Sequence, residues 1–171
     1  MNTDKNARCL ELLENSGQPP HVIAHCKAVA EVSYKLALAL NEKGFSLDAE
    51  LCRRGGLLHD ICRTEHFHSF RGLLYVIELG GLRPEALIVG AHMGEYIDTD
   101  RIAEKEVVYM ADKITKGTGR VDVAERYARS IEKFHGSEEA MKAAYERRDQ
   151  SLALAAYMES FLGKPIHEFD M

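Results

Sequence analysis

The chain has 171 residues, 46% hydrophobic and 29% charged, with a formal net charge of −5. That length suggests one domain with a substantial core, and the negative balance excludes a general grip on nucleic-acid polymers through a basic surface. No run of about 18 or more apolar residues occurs, so no membrane span is expected.

Cys9, Cys26, Cys52 and Cys62 form no C-x-x-C pair, and free thiols in a reducing compartment are expected. The first residues carry no basic segment followed by a long apolar one, so no signal peptide is evident. The expected location is cytoplasmic.

A short helix is predicted over residues 3 to 15, broken by Ser16-Gly17-Gln18-Pro19-Pro20. A long helix follows from about Pro20 to Lys43, with Val22, Val29, Val32, Leu36 and Leu40 at helical spacing. His25 falls inside that stripe. Gly44 is a C-terminal stop. Ser46 can cap a third helix running to about Arg63. Gly55 and Gly56 inside it cost roughly 1 kcal/mol each relative to Ala, which close approach of another helix would explain.

Thr64 to Phe67 is loop, and His68 to Leu79 is helical until Gly80-Gly81. Pro84 suits a first helical position and opens a helix through His92. Gly94 to Arg101 is polar and loop-like. Ala103 to Lys116 is a further helix, broken by Gly117-Thr118-Gly119. Val121 to Phe134 is amphipathic, and Ser137 can cap a last long helix ending near Gly163, before a tail from Pro165 to Met171. No segment alternates with period two. The reading is all-α, a single-domain bundle of about eight helices at globular lengths.

The chemistry concentrates in Gly55-Gly56-Leu57-Leu58-His59-Asp60-Ile61-Cys62-Arg63, where two metal-capable side chains sit in an apolar run. A buried carboxylate there is costly unless something positive meets it, and a bound cation is the simplest candidate. His25 and Asp112 lie on or near apolar faces of two other predicted helices. Each alone has a plain structural reading, as a core histidine or a helix-end carboxylate. Together with His59 and Asp60 they form a ligand set suited to Zn, Fe, Mn or similar ions, of the kind helical bundles build by pointing side chains inward.

The ordered set His25, His59-Asp60 and Asp112, in Val22-Ile23-Ala24-His25, Leu58-His59-Asp60-Ile61 and Met110-Ala111-Asp112-Lys113-Ile114, resembles the HD-domain metal-dependent phosphohydrolases. The resemblance covers roughly residues 20 to 116, with C-terminal helices at 121 to 163 completing one HD-like domain over 1 to 171. His68-Ser69-Phe70-Arg71-Gly72 and Ile88-Val89-Gly90-Ala91-His92 resemble two further family segments of the two-metal, six-ligand type. It implies that His25, His59, Asp60 and Asp112 bind one metal, and that Asp60 bridges to a second held by His68 and His92. His66 is the rival to His68, which its spacing to Gly72 favours. The cofactors implied are two divalent ions, Fe, Mn, Zn, Ni or Co.

Four neutral histidines and two carboxylates carry a charge of −2, so two divalent ions would leave a positive pocket favouring an anionic substrate. A metal ion can lower the pKa of water to about 7, so the expected reaction is hydrolysis of a phosphate ester or anhydride by metal-activated hydroxide. The expected partner is a small phosphorylated molecule, a nucleotide. Asp60 is placed in the catalytic set. Arg63 could clamp a phosphate or simply suit a helix C-terminus, and the family often has Lys there. Lys113 is a phosphate-contact candidate by its family-like placement. Lys116, Arg120, Arg71 and Glu95 are read as surface residues, as are His21, His135 and His167. Glu138 to Arg148 reads as a solvated face. Ala153, Leu154, Tyr157, Met158 and Phe161 complete the core or form an oligomer contact, such as a homodimer. Two competing readings are a di-iron oxygenase of related fold and a non-catalytic nucleotide sensor.

Overall fold

Helix α2 (Pro20–Asn41) joins two hydrophobic clusters. Its Val22, Cys26 and Ala30 belong to one, and Val29, Val32, Leu36 and Leu40 to the other. The computed structural model describes residues 2–134 and 136–168, so His135 lies outside the described residues. The remaining α-helices are α1 (Asn2–Glu14), α3 (Ala49–Leu58), α4 (His68–Tyr75), α5 (Arg83–Ala91), α6 (Glu104–Lys113), α7 (Val123–Lys133) and α8 (Glu138–Leu162). A π turn over Val76–Gly80 extends α4. No described helix is long and apolar enough to cross a membrane.

Helix α2 packs on α3 and α6, α3 also on α1 and α5, and α7 on α8. The two glycines of α3 make this possible. A Cβ on Gly56 would sit 2.7 Å from the Cα of Ala30 in α2, and one on Gly55 would sit 2.8 Å from Cγ2 of Ile88 in α5. The helices therefore cross with backbone against backbone at Gly56. That closeness offsets the low helix propensity of glycine.

Several boundaries differ from those predicted. Asp48, not Ser46, caps α3, its carboxylate accepting from Leu51 N–H at 2.9 Å. The helix ends at Leu58, and His59 to Arg63 run on through tighter turns, with Ile61 N–H bonded to Leu58 O and Arg63 N–H to Asp60 O. Helix α6 stops at Lys113. Thr115–Lys116 then pairs antiparallel with Gly119–Arg120, Thr115 opposite Arg120. Gly117 turns this hairpin at φ +60°, which suits glycine. So short a hairpin has no room for a period-two pattern. The tail is also not free: Ile166 is buried in the core, and its N–H donates to Glu159 Oε1 at 2.8 Å.

Leu154 and Met158 of α8 are fully buried. Each such burial contributes about 1.5–3 kcal/mol. Ala153 faces outward, and Phe161 meets Phe45 and Tyr157 edge-on at 5.0 and 5.2 Å. All four cysteines are free and buried. Arg54 and Glu85 form a buried ion pair at 2.5 Å, tying α3 to α5.

Gly56→Ala is expected to cost about 1–3 kcal/mol by overpacking against the α2 backbone. Gly55→Ala should cost less, because it meets the Ile88 side chain rather than backbone. Urea unfolding of the two variants checks the order, and equal stability would show that α2 and α3 do not cross so closely.

Candidate metal centre

The last carbonyls of a helix lack partners within it. His59 and His92 stand immediately after α3 and α5, each with helical backbone angles. Each turns its imidazole back on its own helix end. His59 Nδ1 donates to Gly56 O at 2.7 Å, and His92 Nδ1 donates to Val89 O at 2.6 Å, three residues earlier in both cases. His25, on α2, donates Nδ1 to Gly117 O of the hairpin at 2.8 Å. This network assigns the Nδ1–H tautomer to His59 and His92 and leaves a bare lone pair on Nε2 of each, while His25 Nε2 also lies at hydrogen-bond distance from Asp112 Oδ1.

The Nε2 atoms of the four histidines converge on two carboxylates. His25 Nε2 lies 3.1 Å from Asp112 Oδ1, and His59 Nε2 lies 3.8 Å from the same oxygen and 3.6 Å from Asp60 Oδ2. On the other side of Asp60, Oδ1 lies 3.3 Å from His92 Nε2 and 3.6 Å from His68 Nε2. His59 Nε2, His92 Nε2 and Asp60 Oδ1 are buried and have no hydrogen-bond partner. Acceptors face acceptors with no proton between them, an arrangement that a cation satisfies. Among the described residues, two groups have ligand atoms within 4.8 Å of one another, His25–His59–Asp60 and Asp60–His68–His92, and Asp60 belongs to both. The residues therefore fit a metal.

A scan against family profiles matches the HD domain over residues 22–159. The chain belongs to the HD-domain family. HD domains are typically metal-dependent phosphohydrolases, and the His/Asp groups supply the donors that such chemistry uses. The chain is also 35% identical over 150 residues to an uncharacterized protein of Methanocaldococcus jannaschii, covering 76% of this chain and 88% of that one. No solved structure gives a significant match.

Other charges lock the carboxylates of this HD domain. Lys113 Nζ donates to Asp112 Oδ2 at 2.7 Å and to His92 O at 3.3 Å. Arg126 of α7 donates to Asp112 Oδ1 at 3.2 Å and to Thr115 O. Burial opposes the charge on Asp112, but Lys113, the hydrogen bond with His25, and Arg126 outweigh it and hold the carboxyl well below the usual range. Burial likewise opposes the charge on Asp60, and the charge that His59 and His92 bring beside it when protonated outweighs that and lowers its carboxyl. Burial pushes His59 down to about 4, keeping it neutral. His25 moves up despite burial, because Asp112 faces it.

The structure brings His68 to Asp60 and leaves His66 exposed. Phe67 adopts a left-handed conformation at φ 55°, uncommon for a bulky residue, and turns the chain just before His68 opens α4. Arg63 lies half-exposed, with Nε 3.7 Å from Asp60 Oδ2 and a terminal nitrogen 3.4 Å from His68 Nε2. Lys113 is buried against Asp112 and His92 at the floor of the cleft. Arg71 pairs with Glu65 on the surface, Arg120 bonds Thr115 Oγ1, and His167 lies 3.5 Å from Asp122. Glu95 is exposed and lines no part of the cleft. His21 and Lys116, read as surface residues, line the cleft beside the centre. The sequence reading missed Arg126; the only local signal was the spacing of Arg126, Arg129 and Lys133 along one side of α7.

Chelator-treated protein is expected to lose stability as pH falls from about 6.5 to about 4. Folded His59 resists protonation in that window while the unfolded chain takes it up. His68, also pushed down by burial, acts in the same direction. His25, raised, opposes them in part, since its contribution is present below 6.5 and fades as pH rises. Below the ordinary aspartate range, Asp60 and Asp112 extend the loss. Thermal melts across this range check the sign, and melting temperatures that rise on acidification would contradict it.

Proposed function

We propose that this HD domain hydrolyses a phosphate ester or anhydride in a small phosphorylated substrate, a nucleotide. Two divalent ions, of Fe, Mn, Zn, Ni or Co, are assigned to it. His25, His59, Asp60 and Asp112 would hold one, and Asp60, His68 and His92 the other. The observation carrying this reading is the pair of His/Asp groups that share Asp60, with three unpartnered buried atoms aimed between them. When bound, such ions lower the pKa of water to about 7 and stabilise phosphoryl oxygens.

The chain's own residues do the remaining work. Three backbone carbonyls orient the imidazoles of His25, His59 and His92 and present Nε2. Lys113 and Arg126 keep Asp112 ionised and fixed in place. We therefore give Lys113 a positioning role rather than a phosphate contact. Arg63, at the cleft wall beside Asp60 and His68, is free to turn its guanidinium toward a phosphate.

Elemental analysis paired with a phosphate-release screen across nucleotides, dinucleotides and sugar phosphates tests the reading. Asp60→Ala should lose metal and activity together while far-UV circular dichroism stays helical. Full metal occupancy in that variant would overturn the bridging role. Arg63→Ala should keep its metal and lose roughly tenfold or more in kcat/KM, the scale of one charged hydrogen bond at about 1.5–3 kcal/mol. An oxygen-dependent activity without phosphate release would replace hydrolysis by di-iron oxygenation. Tight nucleotide binding without turnover in metal-replete protein would make the chain a sensor.

A further inference from the structure

The cleft over Asp60 and Asp112 has a volume of about 850 Å³ and extends well beyond the His/Asp groups, onto α7 and α8. Its lining departs sharply from the chain's composition. The whole chain has 22 Lys and Arg against 27 Asp and Glu. Among the described residues, the cleft is lined by seven Lys and Arg, and its only carboxylates are Asp60 and Asp112, both already engaged. A solvated charged face would mix the two signs; this surface does not.

The far cations are set out in order. Arg126, Arg129 and Lys133 recur at i, i+3 and i+7, which puts them on one stripe of α7. Glu125 and Glu132 line no part of the cleft, although Glu125, four residues before Arg129, flanks the stripe. Arg126 is spent on Asp112 and Thr115. Arg129 has only an exposed contact to Glu125 at 3.6 Å, and such pairs hold little. Lys133 has no carboxylate partner among the described residues, and Arg147 of α8 faces the same space. At 1.5 Å per residue, the stripe reaches about 10 Å along α7 from Arg126 to Lys133.

We infer that Arg129, Lys133 and Arg147 form a second anion subsite, which binds a further phosphate of the substrate beyond the one that reacts at Asp60 and Asp112. The substrate class is then a polyphosphorylated molecule, not a monophosphate. This rests on the hydrolase reading for which phosphate reacts, but the subsite itself is a matter of binding.

The test titrates inorganic orthophosphate and inorganic tripolyphosphate into the metal-loaded full chain by calorimetry, with released phosphate assayed in the same samples. The wild type should bind tripolyphosphate at least tenfold more tightly than orthophosphate. A triple variant, Arg129→Gln with Lys133→Gln and Arg147→Gln, should lose that preference, keep orthophosphate affinity within twofold, and keep its helical signal. A control with Lys35→Gln, Lys43→Gln and Arg101→Gln removes the same charge from exposed positions outside the cleft and should retain the preference. The subsite is overturned if the triple variant still prefers tripolyphosphate, or if the control loses the preference equally. If the preference behaves as expected but no substrate releases phosphate, the subsite stands and the hydrolase reading falls.

Discussion

Asp60 is a buried carboxylate with one oxygen left without a hydrogen bond, ringed by imidazole lone pairs. Burying such a group alone costs several kcal/mol, and neutral histidines presenting lone pairs give it no proton to share. The rest of the molecule is arranged so that this conflict persists in the folded chain. Nδ1 of His25, His59 and His92 is committed to a backbone carbonyl, so those rings cannot rotate to donate to Asp60 without abandoning a bond of 2.6 to 2.8 Å. A fold that keeps unpaired acceptors facing each other is one shaped for a cation.

The backbone devices that achieve this are few. Two histidines use the same one, a place just past a helix end where freed carbonyls need donors. The third relies on the hairpin after α6, whose Gly117 carbonyl reaches α2. Gly55 and Gly56 bring α3 against α5 and α2, and so set His59 and Asp60 at depth between His25 and His92. Packing and ligand placement are thus one problem: the residues just ahead of His59 fix both the helix crossing and the direction of its ring.

Charge is divided in the same spirit. The protein is net negative, yet the cleft over Asp60 and Asp112 is lined by more Lys and Arg than carboxylates. Lys113 and Arg126 are used inward to hold Asp112, while Arg129, Lys133 and Arg147 remain turned to the space above. Electrostatic focusing in a cleft raises the local concentration of anions even where the overall charge repels them.

Much of this was legible in the chain. Helical periodicity gave the eight helices, because a buried stripe at 3.6-residue spacing is a local property. The apolar context of His25, His59-Asp60 and Asp112 made them stand out without coordinates, and the family resemblance added His68 and His92; the fold brings these residues together. What only the tertiary structure decided was anything set by a distant partner. Arg126 looks like one charge on an amphipathic helix until Asp112 is placed beside it. The 115–120 hairpin is too short to show a strand pattern, and Ile166 looks like tail until the core receives it. Local sequence records which face of each helix is buried; which charges end up facing one another depends on how the helices cross.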